Sequence, residues 1–162
     1  MGNPITIVPY SDAYASDFKS LNEEWIVKYF KMEEMDHASL NHPREYILDK
    51  GGYIVVALLH DEAVGVCALI PSLHKDYDFE LAKMGVSPKA QGKGIGKLLG
   101  QHMVEKAKAM GAKKLYLESN RILKPALNLY QKLGFKEVVG ATSPYERSDI
   151  QMELYLTDSS LE

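Results

Sequence analysis

The chain reads as a mixed α/β fold: a largely antiparallel sheet of about seven strands flanked by helices, in the order β-α-α-β-β-β-α-β-α-β-β. Three observations predict it. Alternating or apolar β-rich runs recur from Ile5 to Leu156, two long segments carry helix-period apolar faces, and glycines stop or open those segments. At 162 residues, 46% of them hydrophobic, one domain spanning the whole chain is the simplest organisation.

Ile5–Val8 is the first strand, after which Ser11 or Asp12 can cap a helix carrying Phe18, Leu21, Trp25, Ile26 and Tyr29 on one face. The acids Glu23, Glu24, Glu33, Glu34 and Asp36 that follow form either a solvated face or a field attracting an amine. Pro43 suggests a short helix with Tyr46, Ile47 and Leu48, ended by Asp49–Gly52. Tyr53–His60 and Ala63–Ile70 form a hairpin around Asp61-Glu62, and Asp78–Val86 is the next strand. A helix from about Gly92 to Met110 ends at Gly111, Lys114–Glu118 is a strand, and Pro125 begins a helix stopped by Gly134. Phe135–Val139 and Ile150–Leu156 are the last strands.

The most informative stretch is Val86-Ser87-Pro88-Lys89-Ala90-Gln91-Gly92-Lys93-Gly94-Ile95-Gly96-Lys97, a strand end, a glycine turn and a helix start. Such a turn brings backbone N–H groups together at the positive end of a helix, and Lys93 and Lys97 add charge, which suits phosphate or pyrophosphate. Two nucleotide-binding spacings fail. GxxxxGK[ST] would need glycine at 91 and serine or threonine at 98, where Gln91 and Leu98 stand. GxGxxG would need glycine at 97 or at 99, where Lys97 and Leu99 stand.

The spacing that fits is Q-x-x-G-x-G from Gln91 to Gly96, and it resembles the acetyl-CoA signature of the GNAT (Gcn5-related) N-acetyltransferases. Ala126-Leu127-Asn128-Leu129-Tyr130-Gln131-Lys132-Leu133-Gly134-Phe135 is similar to a second mark of that family, about 30 residues on. The element order also matches. The resemblance implies acetyl-CoA as cosubstrate, its pyrophosphate on Gly92 to Gly96, with Gln91, Lys93, Ile95 and Lys97 around it. It places main-chain amides of Met84, Gly85 and Val86 against the pantetheine arm and acetyl carbonyl, and Tyr130 beside the thiol. Gly85 reads equally as part of a bulge or as a packing glycine, and Tyr130 has the alternative of a core aromatic.

Glu80 is the carboxylate set inside the otherwise apolar-looking strand Phe79–Val86. It stands eleven residues before Gln91, the spacing of the base in histone-type members of the family; an ion pair with a neighbouring strand is the alternative. Lys83, unusual in a central strand, has no evident role. The family's CoA-contacting asparagine lies three residues before the motif alanine, whereas Asn120 lies six before Ala126, so its contact is in doubt. The ending Ser143-Pro144-Tyr145-Glu146-Arg147 resembles GNAT domains found alone or fused to MarR-type regulators, and names no acceptor. In that loop Arg147 suits an acceptor carboxylate and Glu146 or Asp149 a second amine, unless the segment only turns the chain.

The expected reaction is acetyl transfer to a primary amine of a small molecule or peptide; a CoA-binding sensor without turnover is the alternative. A net charge of −3 argues against nucleic-acid and polybasic membrane binding. His37, His42, His60, His74 and His102 have no metal-ligand spacing. Cys67, the single cysteine, sits in an apolar run and reads as a buried, inert thiol in a cytoplasmic, reducing setting. No apolar run is long enough for a membrane helix. Met1-Gly2-Asn3-Pro4-Ile5-Thr6 fits a loose myristoylation pattern that the first strand makes unnecessary. Edge strands at the C-terminus are compatible with a homodimer.

Overall fold

The structure, a computed structural model, describes residues 4–139, 143 and 145–156. The acylation pattern at Met1–Asn3, part of the 142–149 loop and the last six residues fall outside them. In chain order the elements are β1 (Ile5–Pro9), α1 (Ala15–Tyr29), α2 (Glu34–Asn41), β2 (Tyr53–Leu59), β3 (Glu62–Pro71), β4 (Phe79–Val86), α3 (Ile95–Ala109), β5 (Lys114–Ser119), α4 (Lys124–Leu133), β6 (Lys136–Val138) and β7 (Ile150–Tyr155). The strands form one seven-stranded sheet, ordered β1-β2-β3-β4-β5-β7-β6. The sole parallel pair among them is β4 with β5, the two strands joined through α3. No helix of the described residues is long and apolar enough to cross a membrane.

Apolar residues alternate to the two faces of the sheet and build a core layer on each. Phe18, Ile26 and Leu40 pack with Ile54, Val56 and Val66 under α1 and α2. Leu99 and Met103 pack with Val55, Cys67, Leu115 and Leu117 under α3. Burial raises the Cys67 thiol to about 12, leaving it protonated and inert.

Several local expectations need correction. Neither Ser11 nor Asp12 caps α1; a single 3₁₀ turn (Asp12–Tyr14) intervenes, and Asp12 pairs instead with Arg44 at 2.9 Å. Tyr29, expected on the buried face, is 48% exposed because α1 ends beside the cavity described below. The β2–β3 turn is His60-Asp61, both left-handed (φ 51° and 68°), which matches the twist of a two-residue hairpin. The third helix begins at Ile95, not Gly92, because Gly92 (φ 83°) and Gly94 (φ 75°) hold the turn out of helical geometry.

The feature that positions the site is the way β4 leaves β5. Their ladder contains two pairs, Phe79↔Leu115 and Glu80↔Tyr116, reinforced where it starts by Asp78, whose carboxylate accepts from the Lys113 and Lys114 amides at 2.7 and 3.0 Å. Beyond Glu80 the strands part. On its other edge β4 carries an extra residue opposite β3, between the pairs Ala68↔Ala82 and Val66↔Gly85, with Lys83 in the left-handed region (φ 55°). The bulge expected near Gly85 is therefore present but centred on Lys83. Gly85 itself is a packing glycine: a Cβ there would lie 2.6 Å from the Leu21 carbonyl oxygen of α1. Gly85→Ala is accordingly expected to lower stability by about 1–3 kcal/mol, read from urea unfolding, as α1 is forced off β4.

Candidate acyl-transfer site

The parted strands open onto a cavity of about 530 Å³. Its floor is β4 from Glu80 to Val86, one end is the glycine turn, one wall is α4, and the far end is closed by α1 and the segment before β7. From Leu81 to Val86 the β5-facing edge of β4 has no ladder partner among the described residues.

At the turn, the first intrahelical bond runs from the Leu98 amide to the Gly94 carbonyl at 3.1 Å. The amides of Ile95, Gly96 and Lys97 precede it, where a helix supplies no acceptor. Those of Gly92, Lys93 and Gly94 also donate to no described residue. Gln91, Gly92, Gly94, Ile95 and Gly96 line the cavity, whereas Lys93 and Lys97 are exposed and do not. A Cβ on Gly92 or Gly94 would meet no atom within 4 Å, so these glycines serve the positive φ and leave the space above the amides open.

The α4 wall has no fully buried residue despite its apolar face; Ala126, Leu129 and Tyr130 front the cavity. The Tyr130 hydroxyl has no hydrogen-bond partner among the described residues, and burial raises its pKa. Tyr130 is thus neutral and its proton uncommitted.

Glu80 and, on β5, Glu118 enter from the α1 side of the sheet. Glu80 is pushed up to about 7, first by burial and then by the charge of Glu118, with Lys83 opposing. It forms no ion pair among the described residues, so the ion-pair reading finds no support there. Glu118 was not evident from the sequence. It is also raised, chiefly by burial, although the Ser143, Ser148 and Tyr116 hydroxyls and Arg147 favour its charged form.

Lys83 and Arg147 converge on Asp36, which is fully buried near the start of α2. Arg147 donates twice to it at 2.6 Å, Lys83 once at 3.2 Å, and the Glu33 amide once at 2.9 Å. Arg147 also reaches Glu33 at 3.2 Å and lies over the Tyr145 ring, 4.6 Å from its centroid. Of the acids offered as a solvated face, Asp36 and Glu33 are thus structural, and Lys83 acquires a role. Burial alone would raise Asp36, but the Arg147 hydrogen bonds and the Lys83 charge outweigh it and hold it below the ordinary 3.8. Asn120 lines the cavity with both ends of its amide engaged: it donates to the Arg147 carbonyl at 2.6 Å and accepts from the Ile122 amide at 3.0 Å.

A cleft where a parallel strand pair divides, with a glycine turn at one end and a tyrosine on the wall, defines an acyltransferase class of fold. Residues 18–135 match the model of the Acetyltransferase (GNAT) family, and the chain belongs to that family. It is 40% identical over 78 residues to the uncharacterized N-acetyltransferase YjgM of Escherichia coli, a match covering 48% of this chain and 47% of that protein. The chain thus aligns with about half of that relative's length. An acetyltransferase of the GNAT family from Staphylococcus aureus superposes with a TM-score of 0.82 at 20% identity, covering 94% of this chain and 99% of that one. YncA from Salmonella typhimurium, solved with its cofactor acetyl-CoA, superposes at 0.74 with 18% identity over 96% of each chain.

The Asp36 cluster makes its own prediction. Asp36→Asn leaves two buried cations facing each other and is expected to cost about 3–5 kcal/mol in urea unfolding. Lys83→Met, which keeps the Arg147–Asp36 pair, costs less than half of that. Because the folded pKa of Asp36 is depressed, its contribution is present above pH ~4 and is lost as pH falls through the folded value.

Proposed function

We propose that the chain is an acetyl-CoA-dependent N-acetyltransferase acting on a primary amine, with Tyr130 and Glu80 as its catalytic residues. The observation that carries the reading is the glycine turn: a run of uncommitted amides at a helix start, open to a cavity that continues along an unpaired strand edge. Family membership supports the same cofactor.

Acetyl-CoA supplies a thioester carbonyl and a thiol leaving group. The Gly92–Gly96 amides fit its pyrophosphate, with Gln91 beside them, and the free edge of Met84, Gly85 and Val86 fits the pantetheine amides and polarises the acetyl carbonyl. Lys93 and Lys97 contribute long-range charge rather than contacts. Asn120 holds the Arg147 segment in place at the acceptor end rather than touching the cofactor.

At pH 7 only about one alkylammonium in 2,500 is a free amine, so a proton must be taken before attack. Glu80 accepts it, better suited than an ordinary carboxylate because its pKa of about 7 lies nearer that of the amine. The nitrogen lone pair then forms the C–N bond, the C–S bond breaks, and Tyr130 gives its hydroxyl proton to the departing sulfur. The amide and free CoA are the products; the second proton lost by the nitrogen returns Tyr130 to its neutral form by way of solvent, and the one held by Glu80 is released to bulk water.

The test is thiol release from acetyl-CoA across amines and peptides. Since Glu80 must be ionised, kcat/KM is expected to fall about tenfold per pH unit below pH ~7, and Glu80→Gln to remove that limb and cost ~10²-fold or more. Tyr130→Phe is expected to lower kcat by about 10²-fold with CoA affinity unchanged. Saturable CoA binding without thiol release on any acceptor overturns the reading in favour of a sensor.

A further inference from the structure

Glu80 and Glu118 sit on one face of the sheet where β4 and β5 part. Glu80 pairs with Tyr116, and Glu118 lies two residues farther along β5, so alternation turns both acids to the same side. Both line the cavity. Glu118 Oε1 is buried and accepts no hydrogen bond. The Glu80 carboxylate is half-buried, is reached from the cavity, and has no hydrogen-bond or ion-pair partner among the described residues. Hydroxyls of Ser143, Ser148 and Tyr116 answer the rest of the Glu118 carboxylate, so the unmet acceptors at the fork are Glu118 Oε1 and Glu80, each of which loses hydration without gaining a donor among the described residues.

The cations of the same lobe are already answered. Lys83 and Arg147 are matched by Asp36 and Glu33, two positive charges against two negative, with Asp36 filling the fork of Arg147. The sequence reading that Arg147 receives an acceptor carboxylate therefore loses its support: the guanidinium holds a carboxylate of the protein itself. An incoming carboxylate would find no free cation among the described residues of the cavity, and two carboxyl groups in its way. An ammonium would find two acceptors in need of a donor, beside the ring of Trp25.

We infer that Glu118 binds the acceptor's ammonium next to Glu80, and that the acceptor is an alkyl- or arylalkylamine or diamine with no carboxylate beside the reacting nitrogen. This rests on the acetyltransferase reading of the cavity and names its acceptor class. Glu118 supplies the anchor and Glu80 takes the proton. The charge of Glu118 is one of the causes that raise Glu80, and a cation placed between the two carboxyl groups relieves that repulsion.

Calorimetric binding to the CoA-loaded protein tests the inference without requiring turnover. The probes are matched pairs differing by one carboxylate: tyramine against tyrosine, and 1,3-diaminopropane against 2,4-diaminobutyrate. In at least one pair the amine is expected to bind at least tenfold more tightly than the amino acid. Glu118→Gln, nearly isosteric, is expected to weaken amine binding about tenfold, to leave CoA affinity unchanged and not to weaken the amino acid. Equal or tighter binding of the amino acids, no binding of either amine at about 10 mM, or unaltered amine affinity in Glu118→Gln overturns it. Thiol release on the same panel tests the acetyltransferase reading separately, so amine binding without turnover would refute that reading and leave the binding site standing.

Discussion

The arrangement depends on β4 pairing with β5 for two residues and then leaving it. A fully zipped parallel pair would bury both strands and leave no room between them. Here Asp78 and the pairs at Phe79 and Glu80 hold the strands together at their start, and the bulge at Lys83 alters the course of β4 against β3. The separation produces the cavity, strips one edge of β4 of its partner, and lets α4 present Ala126 and Leu129 to a space while Leu127 and Leu133 pack on the core. Glu80 lies at the fork itself, which encloses its carboxylate and gives it an elevated pKa.

The same bulge organises the charges. Lys83 adopts a left-handed conformation that costs energy for a side chain of its kind, and its ammonium is brought to Asp36. Asp36 in turn seats Arg147, and Arg147 with Asn120 fixes the segment before β7 over the α1 end of the cavity. Burying such a cluster stabilises the protein little in net terms, but removing one member exposes the others' lost hydration. Its consequence for the site is that the two cations lining it are neutralised while the two acids at the fork are not. The glycine-turn end of the cavity is a row of donors without acceptors among the described residues, and the fork carries two acceptors without donors there, Glu80 and Glu118 Oε1, so the two ends have opposite polarity.

Much of this was legible in the chain. The Gln91–Gly96 spacing located the turn, the order of strands matched, and Glu80 stood out as a carboxylate within an apolar strand, but the second α-helix is Glu34–Asn41, and the helix expected after Pro43 is a short π-helical stretch, Arg44–Leu48. Tyr130 was marked by its motif. The rest depends on contacts that local pattern does not encode. Lys83 meets Asp36 across 47 positions, and Arg147 meets it across 111, so neither Asp36's burial nor the neutralisation of Arg147 could be read from neighbours. Glu118 ends the run read from the sequence as a strand, Lys114–Glu118, whose alternation gives its side of the sheet but not what lies there. Had the parallel pairing at Glu80 been inferred from the crossover through α3, Glu118 would have been placed beside it. The helix start was misjudged because glycine permits both helical and left-handed geometry, and only the positive φ of Gly92 and Gly94 decides between them.

The central claim is that the parted strands and the glycine turn form one continuous cofactor site. Amide hydrogen exchange with and without CoA measures it directly, since the glycine-turn amides and those on the open edge of β4 have no acceptor among the described residues and would gain one. The account predicts slowed exchange at both Met84–Val86 and Gly92–Lys97 on adding CoA, with β1 and β6 unchanged. Exchange that stays the same at either segment under saturating CoA would contradict it.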